Sequence, residues 1–304
     1  MRWVTGFGKT NIDILYSGMS RVPQEGEEIY AENFSLQLGG GIPATLINLG
    51  RLGVPARIQT LLGKDLFSQY ALSEFIANGV DPNNLYSGND MPVNVTSAII
   101  TTHDRAFVSY TDPIKVSDNM LHQVLENSRS ASIVLMQEDM LPIYAPLKMA
   151  GALLVYDTGW RDDMSLDNMR NILELADYYT PNDKEAMKVT GTSTPSQAAR
   201  RLADFFETVV IKLGADGCLL YRKGRETVIS PIPNIKAIDS TGAGDAFLAG
   251  FVYGLYHGAA PEVAALYGNI TGAACVESVG CLASFVNEDK LLQIAQDLRH
   301  LIAR

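Results

Sequence analysis

Cysteine and histidine are scarce in this chain. Of 304 residues, three are Cys and four are His. Cys218, Cys275 and Cys281 are too few and too widely spaced for a disulfide framework or a zinc pattern, so reduced, buried thiols in a cytoplasmic protein are expected. The histidines, at 103, 122, 257 and 300, are scattered, and no Gly-x-Ser-x-Gly elbow accompanies them, which argues against a hydrolase triad. Basic charge is in deficit, with 24 Lys and Arg against 34 Asp and Glu, so a general nucleic-acid binder is excluded. No apolar run is long enough to span a bilayer, and no membrane association is expected. The first residues run straight into Trp3–Gly8 without a basic leader and apolar core, so no signal peptide is expected. Internal repeats, low-complexity tracts, a P-loop and the protein-kinase motif set are all missing.

What is present centres on residues 235–250, Ile-Lys-Ala-Ile-Asp-Ser-Thr-Gly-Ala-Gly-Asp-Ala-Phe-Leu-Ala-Gly. A β-leaning run ends at Asp239, the small residues Gly242, Ala243 and Gly244 follow, and Asp245 opens an apolar, alanine-rich helical segment. Strand, glycine turn and helix N-terminus together aim unpaired amides and the positive end of a helix dipole at one point, which suits an anion. A carboxylate planted there fits a general base beside a phosphoryl group in transit. The same residue could simply cap or charge the first helical turn.

The rest of the chain alternates. Trp3–Gly8 reads as a buried strand, and Asn11 and Asp13 stand at its carboxyl side, either as ligand groups or as a turn. Asn11 replaces the third glycine of a dinucleotide fingerprint, so that reading fails. Segments at about 12–38 and part of 93–112, including a hairpin around Thr102–Asp104, are expected to form a small, antiparallel β lid. Gly39, Gly40 and Gly41 lead into an amphipathic helix and read as a flexible joint close to a ligand, or as a loop needing glycine's freedom. From 117 onward helix and strand patterns alternate, the signature of a mainly parallel sheet covered on both faces. A turn at Gly214 and Gly217 separates two strands between Val209 and Tyr221, and helices at about 243–257, 261–277 and 288–302 finish the chain. The expected fold is α/β: a doubly wound, mainly parallel sheet flanked by helices, one domain over 1–304, with the lid attached.

Four motifs in order across residues 6–285 resemble the ribokinase-like, or PfkB, carbohydrate kinases. They are Asp239-Ser-Thr-Gly-Ala-Gly-Asp245, Gly39-Gly-Gly with its helix to Gly53, Asn182-x-x-Glu185, and the Asn11/Asp13 pair. The resemblance implies an ATP-dependent phosphotransferase acting on a primary hydroxyl of a small carbohydrate such as a ketohexose or pentose. It implies Asp245 as the base and Gly242, Ala243 and Gly244 as the anion hole. It places Asn11, Asp13, Gly39, Gly40, Gly41 and Arg105 at the acceptor, and Asn182, Lys212, Gly214, Gly217 and Asn269 at the nucleotide. Asn182 and Glu185 would hold magnesium through water, and Asp239, Thr241, Gly280 and Ser284 a monovalent cation, K+. Ala44 departs from the family's sugar-contacting Asn, with Asn48 one helical turn on. A nucleoside acceptor is the rival reading, with Phe34, Phe107 and Tyr110 available to stack a base. A catalytically silent binding protein is the rival from another class, although both base and metal motif are retained. A homodimer through the exposed lid edges is a further expectation.

Overall fold

The computed structural model describes residues 2–111, 113–299 and 302. Asp112 at the end of the expected lid, His300 and part of the last expected helix lie outside the described residues.

Six parallel strands form the central sheet. In chain order they are β1 (Val4–Phe7), β4 (Ala56–Thr60), β5 (Val80–Asn84), β8 (Ile133–Met136), β9 (Leu153–Tyr156) and β10 (Tyr178–Tyr179). Their spatial order is β10-β9-β8-β1-β4-β5, so the chain winds outward from β1 in one direction and then returns to wind in the other. The crevice beside β1 and β8 is therefore a topological switch point, where sheets of this kind leave room for ligands. The inner strands β1, β8 and β9 are short and almost fully buried, which is why they read as continuous apolar runs rather than alternating ones.

Helices cover both faces. On one side lie α1 (Ile42–Arg51), α2 (Leu66–Ala77), α8 (Ala243–Tyr256), α9 (Pro261–Cys275) and α10 (Glu288–Asp297), whose core includes Leu46, Leu49, Phe75 and Phe251. On the other lie α3 (Asp118–Ser128), α4 (Leu141–Met149), α5 (Leu166–Leu173), α6 (Asp183–Thr190) and α7 (Pro195–Leu202), packed around Tyr144, Tyr156 and Tyr179. The three cysteines are free and buried in this packing. No helix among the described residues is long and apolar enough to cross a membrane.

Two further sheets matter for the site. An antiparallel one, β11 (Thr208–Lys212), β12 (Cys218–Arg222) and β13 (Arg225–Ile229), continues the central sheet through a parallel bridge between Asn182 and Lys212. A separate four-stranded sheet has the order β3-β2-β6-β7, with β2 (Asn11–Met19), β3 (Asn33–Leu38), β6 (Asn94–Thr101) and β7 (Arg105–Tyr110). These are the segments expected to form the lid, with the whole hairpin included. Its strands are not all antiparallel, however, because β2 and β6 run parallel. The chain passes through the main sheet between them, and a strand returning by such a crossover arrives in the same direction.

One local expectation differs from the structure, and two strands lie where the sequence pattern indicates none. Residues 231–241 are irregular, so no strand precedes Gly242; Pro231 and Pro233 lack amides for a ladder, and the amides of Ile238 and Asp239 donate instead to the Val276 carbonyl. Val80–Asn84 is a strand although its sequence is Val-Asp-Pro-Asn-Asn; it is an edge strand, where Pro82 is tolerated. Arg225–Ile229 is also a strand that the pattern reading did not place, held by its pairing with β12.

Candidate active site

A cavity of about 820 Å³ opens at the carboxyl ends of β8 and β9, against the first turn of α8. Gly41, Asp157, Asn182, Glu185, Lys212 and Asp245 are among the residues that line it. Its walls toward α9 and the 231–237 loop are apolar, including Pro231, Ile232, Ala237 and Val276.

The first turn of α8 is the focus. Gly242 is its N-cap with φ of 78°, a left-handed conformation, and a Cβ there would meet Cys281 at 2.1 Å, so only glycine fits. No side chain caps this end. Among the described residues the amides of Gly242 and Gly244 have no acceptor, whereas that of Ala243 donates to the Ser240 carbonyl at 3.2 Å. The expected anion hole is thus a helix terminus with two of its three amides unengaged among the described residues and Ala243 committed to Ser240.

Asp245 lies in the first turn of α8. Its Oδ2 accepts from the Gly41 amide at 2.9 Å, and the Thr45 hydroxyl donates to its backbone carbonyl at 3.3 Å. Burial pushes its carboxyl up to about 7, the Gly41 hydrogen bond and the Lys212 ammonium pull it back, and the neighbouring Asp157 carboxylate adds to the rise. A group that changes protonation near neutrality in a ligand cavity is poised for proton transfer.

Lys212, at the end of β11, pairs with Asp157 through Nζ–O distances of 3.0 and 2.9 Å. The site of a Cβ on Gly244 is 3.2 Å from the same Nζ, so the ammonium stands over the helix terminus. Desolvation opposes its charge, but Asp157 outweighs it and holds Lys212 protonated. Asp157 was not singled out in the sequence. Its signal was a lone carboxylate directly after the apolar strand Leu153–Tyr156, at the end where ligands bind.

Asn182 and Glu185 form a capping box on α6. The Glu185 amide donates to Asn182 Oδ1 at 2.9 Å, and the Asn182 amide donates to Glu185 Oε2 at 2.8 Å. The spacing that suggested a metal motif therefore also builds a helix start, and burial raises the Glu185 carboxyl above its ordinary range. Both side chains still line the cavity. Among the described residues no group of three or more His, Cys, Asp or Glu side chains could hold a metal ion. Gly214, Gly217 and Asn269 also line the cavity; the Asn269 amide is spent on the Ile229 and Ser230 carbonyls, where it anchors the loop that forms one wall.

On the four-stranded sheet, strand register puts Asp13, Gln37, Thr96, Ser109, Phe107 and Arg105 on one face. Asn11 Nδ2 donates to Asp13 Oδ1, and Thr96 donates to Asn11 Oδ1 at 3.3 Å. Burial raises the Asp13 carboxyl to about 6, against the Asn11 hydrogen bond. Gly39 packs on Asn11 and Gly40 on Asp245, so the glycine run joins the lid pair to the base. Arg105, expected at the acceptor, instead engages Asp239 and Thr241. Asp239, Thr241 and Gly280 come together as expected for a cluster, but among the described residues Ser284 makes no hydrogen bond to it. Phe34 and Tyr110 point to the opposite face from Asp13, leaving only Phe107 of the three aromatics on the cleft side.

This fold and constellation define a carbohydrate kinase of the ribokinase type. The pfkB family carbohydrate kinase model matches residues 2–288, and the chain belongs to that family, whose members are phosphotransferases with an alcohol group as acceptor. Ribokinase of Arabidopsis thaliana is 26% identical over 306 residues, covering 94% of this chain and 79% of that protein. The 5-dehydro-2-deoxygluconokinase of Clostridium perfringens is 25% identical over 316 residues, covering 92% of each. The solved structure of Arabidopsis thaliana ribokinase complexed with ribose and ATP superposes with a TM-score of 0.80 at 24% identity, covering 97% of this chain and 99% of that one.

Proposed function

We propose that this kinase transfers the γ-phosphoryl of ATP to a primary hydroxyl of a small carbohydrate, of ketohexose or pentose size. The observation that carries the reading is Asp245, a carboxylate raised to about 7 beside a helix terminus with unengaged amides. In this reading Asp245 Oδ2, held by the Gly41 amide, takes the acceptor's proton as its oxygen attacks. The amides of Gly242 and Gly244, with the Lys212 ammonium, bind the negative charge spreading over the transferred group. Asn11 and Asp13 bind further hydroxyls of the acceptor, and their carboxylate and amide suit a polyol rather than an anionic substrate. Gly214, Gly217 and the wall anchored by Asn269 face the nucleotide. Asn182 and Glu185 would hold the water shell of magnesium, which when bound compensates phosphate charge. The four-stranded sheet is the lid that excludes water from the cleft.

Three supports follow from the same structure. The nucleoside alternative loses two of its three stacking aromatics to the far face of the lid. That far face presents exposed Phe34, Val108 and Tyr110 and the half-exposed Tyr16, and we assign it to a homodimer in which a second copy covers it. Unpaired buried cysteines favour a reducing, cytoplasmic setting.

The test is ADP release with Mg-ATP across a panel of ketoses, aldoses, polyols and nucleosides. A neutral sugar with a free hydroxymethyl group is expected to be turned over, and that activity should vanish in Asp245→Asn. Turnover of nucleosides alone would refute the assignment. Sedimentation of Val108→Asp should show a monomer if the lid face is the dimer contact.

A further inference from the structure

The cluster expected to hold a monovalent cation already holds one, and it belongs to the protein. Asp239 Oδ1 accepts from the Thr241 amide at 3.0 Å and from the Thr241 hydroxyl at 2.7 Å, while Oδ2 accepts from the Gly280 amide at 3.0 Å. The remaining partner is Arg105, whose Nη1 lies 3.0 Å from Asp239 Oδ1 and 2.6 Å from Thr241 Oγ1. A potassium ion needs those same oxygen lone pairs, so the residues present do not fit K+ while Arg105 is seated.

Arg105 comes from β7, on the lid, whereas Asp239 and Thr241 border the anion hole on the main body. A second lid residue makes a parallel tie: Gln37 on β3 donates from Nε2 to the Val279 carbonyl at 3.1 Å. Its Oε1 lies 2.3 Å from where a Cβ on Gly280 would stand, so this contact depends on glycine. The loops they grip, around 239–242 and 278–281, touch each other where Gly242 packs on Cys281. Two lid strands therefore hold the two loops that shape the start of α8. The Asp239 carboxylate is largely covered, with 13% of its side chain exposed; burial would raise its carboxyl, but the Gly280 and Thr241 amides and the Thr241 hydroxyl hold it below its ordinary range, and the Arg105 guanidinium adds to that.

We propose that the Arg105 guanidinium serves as a built-in replacement for the monovalent cation, delivered to Asp239 and Thr241 by the closed lid. It is a positioning residue: it sets the 239–242 loop, and through it the amides of Gly242 and Gly244, without touching the transferred group. Because the charge rides on the lid, the anion hole takes its working shape only when the lid is down. The enzyme then needs no added potassium, and lid closure and anion-hole assembly become one event. This inference rests on the phosphoryl-transfer reading above.

The test compares wild type, Arg105→Ala and Arg105→Gln in potassium chloride and in tetramethylammonium chloride at equal ionic strength. Two quantities are read: acceptor-dependent ADP formation, and melting temperature without substrates. Wild type should be indifferent to the salt in both. Losing a hydrogen-bonded charge should lower kcat of the variants by roughly tenfold or more in tetramethylammonium. Potassium should restore much of that loss and raise their melting temperature, because the vacated oxygens can now take the ion. Potassium activation or stabilisation of wild type overturns the proposal. So does a variant that is unimpaired, or one impaired equally in both salts, which would leave Arg105 as a lid contact only. The melting comparison does not depend on turnover, so a failure to find any phosphorylated acceptor counts against the proposed reaction and leaves this test decisive.

Discussion

A methyl group on Gly40 would lie 2.7 Å from Oδ2 of Asp245, the oxygen that also accepts the Gly41 amide at 2.9 Å. Residues 204 positions apart in sequence are thereby in contact, and the glycine run that follows β3 becomes part of the wall around the Asp245 carboxylate.

Gly40→Ala tests that contact directly. The added methyl must displace the carboxylate or the joint, and a misplacement of about 1 Å can cost on the order of 10²-fold in rate. We expect kcat to fall by that order with the KM for ATP unchanged, since Gly40 is not part of the nucleotide wall. Steady-state kinetics with the accepted sugar would check this; normal turnover would show that the contact is dispensable.

Asp245→Asn removes the proton acceptor and keeps the shape. The loss in kcat should be at least about 10²–10⁴-fold, with ATP-analogue binding retained by calorimetry. In wild type, kcat/KM should rise with pH through an inflection near 7, because the base must be ionised. Stability should move the other way. The folded-state value lies above the ordinary 3.8, so the folded protein binds the proton more tightly than the unfolded chain. That contribution is complete at low pH and fades as pH rises from about 4 to about 7. The melting temperature of Asp245→Asn relative to wild type should therefore be higher at pH 8 than at pH 5.

Asp157→Asn leaves the Lys212 ammonium without its carboxylate. Breaking a buried pair from one side typically costs about 3–5 kcal/mol, so a clear fall in melting temperature is expected. The same change removes a negative neighbour of Asp245 and frees Lys212 to face it, which should move the inflection in kcat/KM below that of wild type. An unmoved pH profile would show that the three groups are not electrostatically coupled.

Asp13→Asn probes the acceptor side. A hydrogen bond to a charged group is worth about 1.5–3 kcal/mol, so the acceptor KM should rise by about 10–100-fold while the KM for ATP stays the same. Equal effects on both would place Asp13 outside the acceptor pocket.

Much of this site was legible before folding was considered. Asp239–Asp245 carries part of its pattern locally: two glycines, a helix start and an acid within one turn suit an anion beside a carboxylate, but whether Asp245 merely caps the helix depends on the distant Gly41, Asp157 and Lys212. The alternation of apolar strands with amphipathic helices was enough to read a covered parallel sheet, because burial on two faces leaves its mark in composition. The segments of the four-stranded sheet were legible as alternating runs, with no helix between β2 and β3 or between β6 and β7. Weakly patterned edges such as Val80–Asn84 were not, because an edge strand is held by pairing rather than by its own propensities.

What only the tertiary structure decided is who meets whom. Asn182 and Glu185 turned out to cap α6 as well as line the cavity. Asp157 emerged as the partner of Lys212, and strand register sorted Phe107 from Phe34 and Tyr110. Arg105 meets Asp239, 134 positions away in sequence. The amino-acid sequence alone determined the local chemistry, because propensity, capping and glycine geometry act within a few residues. Pairings across hundreds of positions depend on how the lid packs against the body, and no local pattern records that.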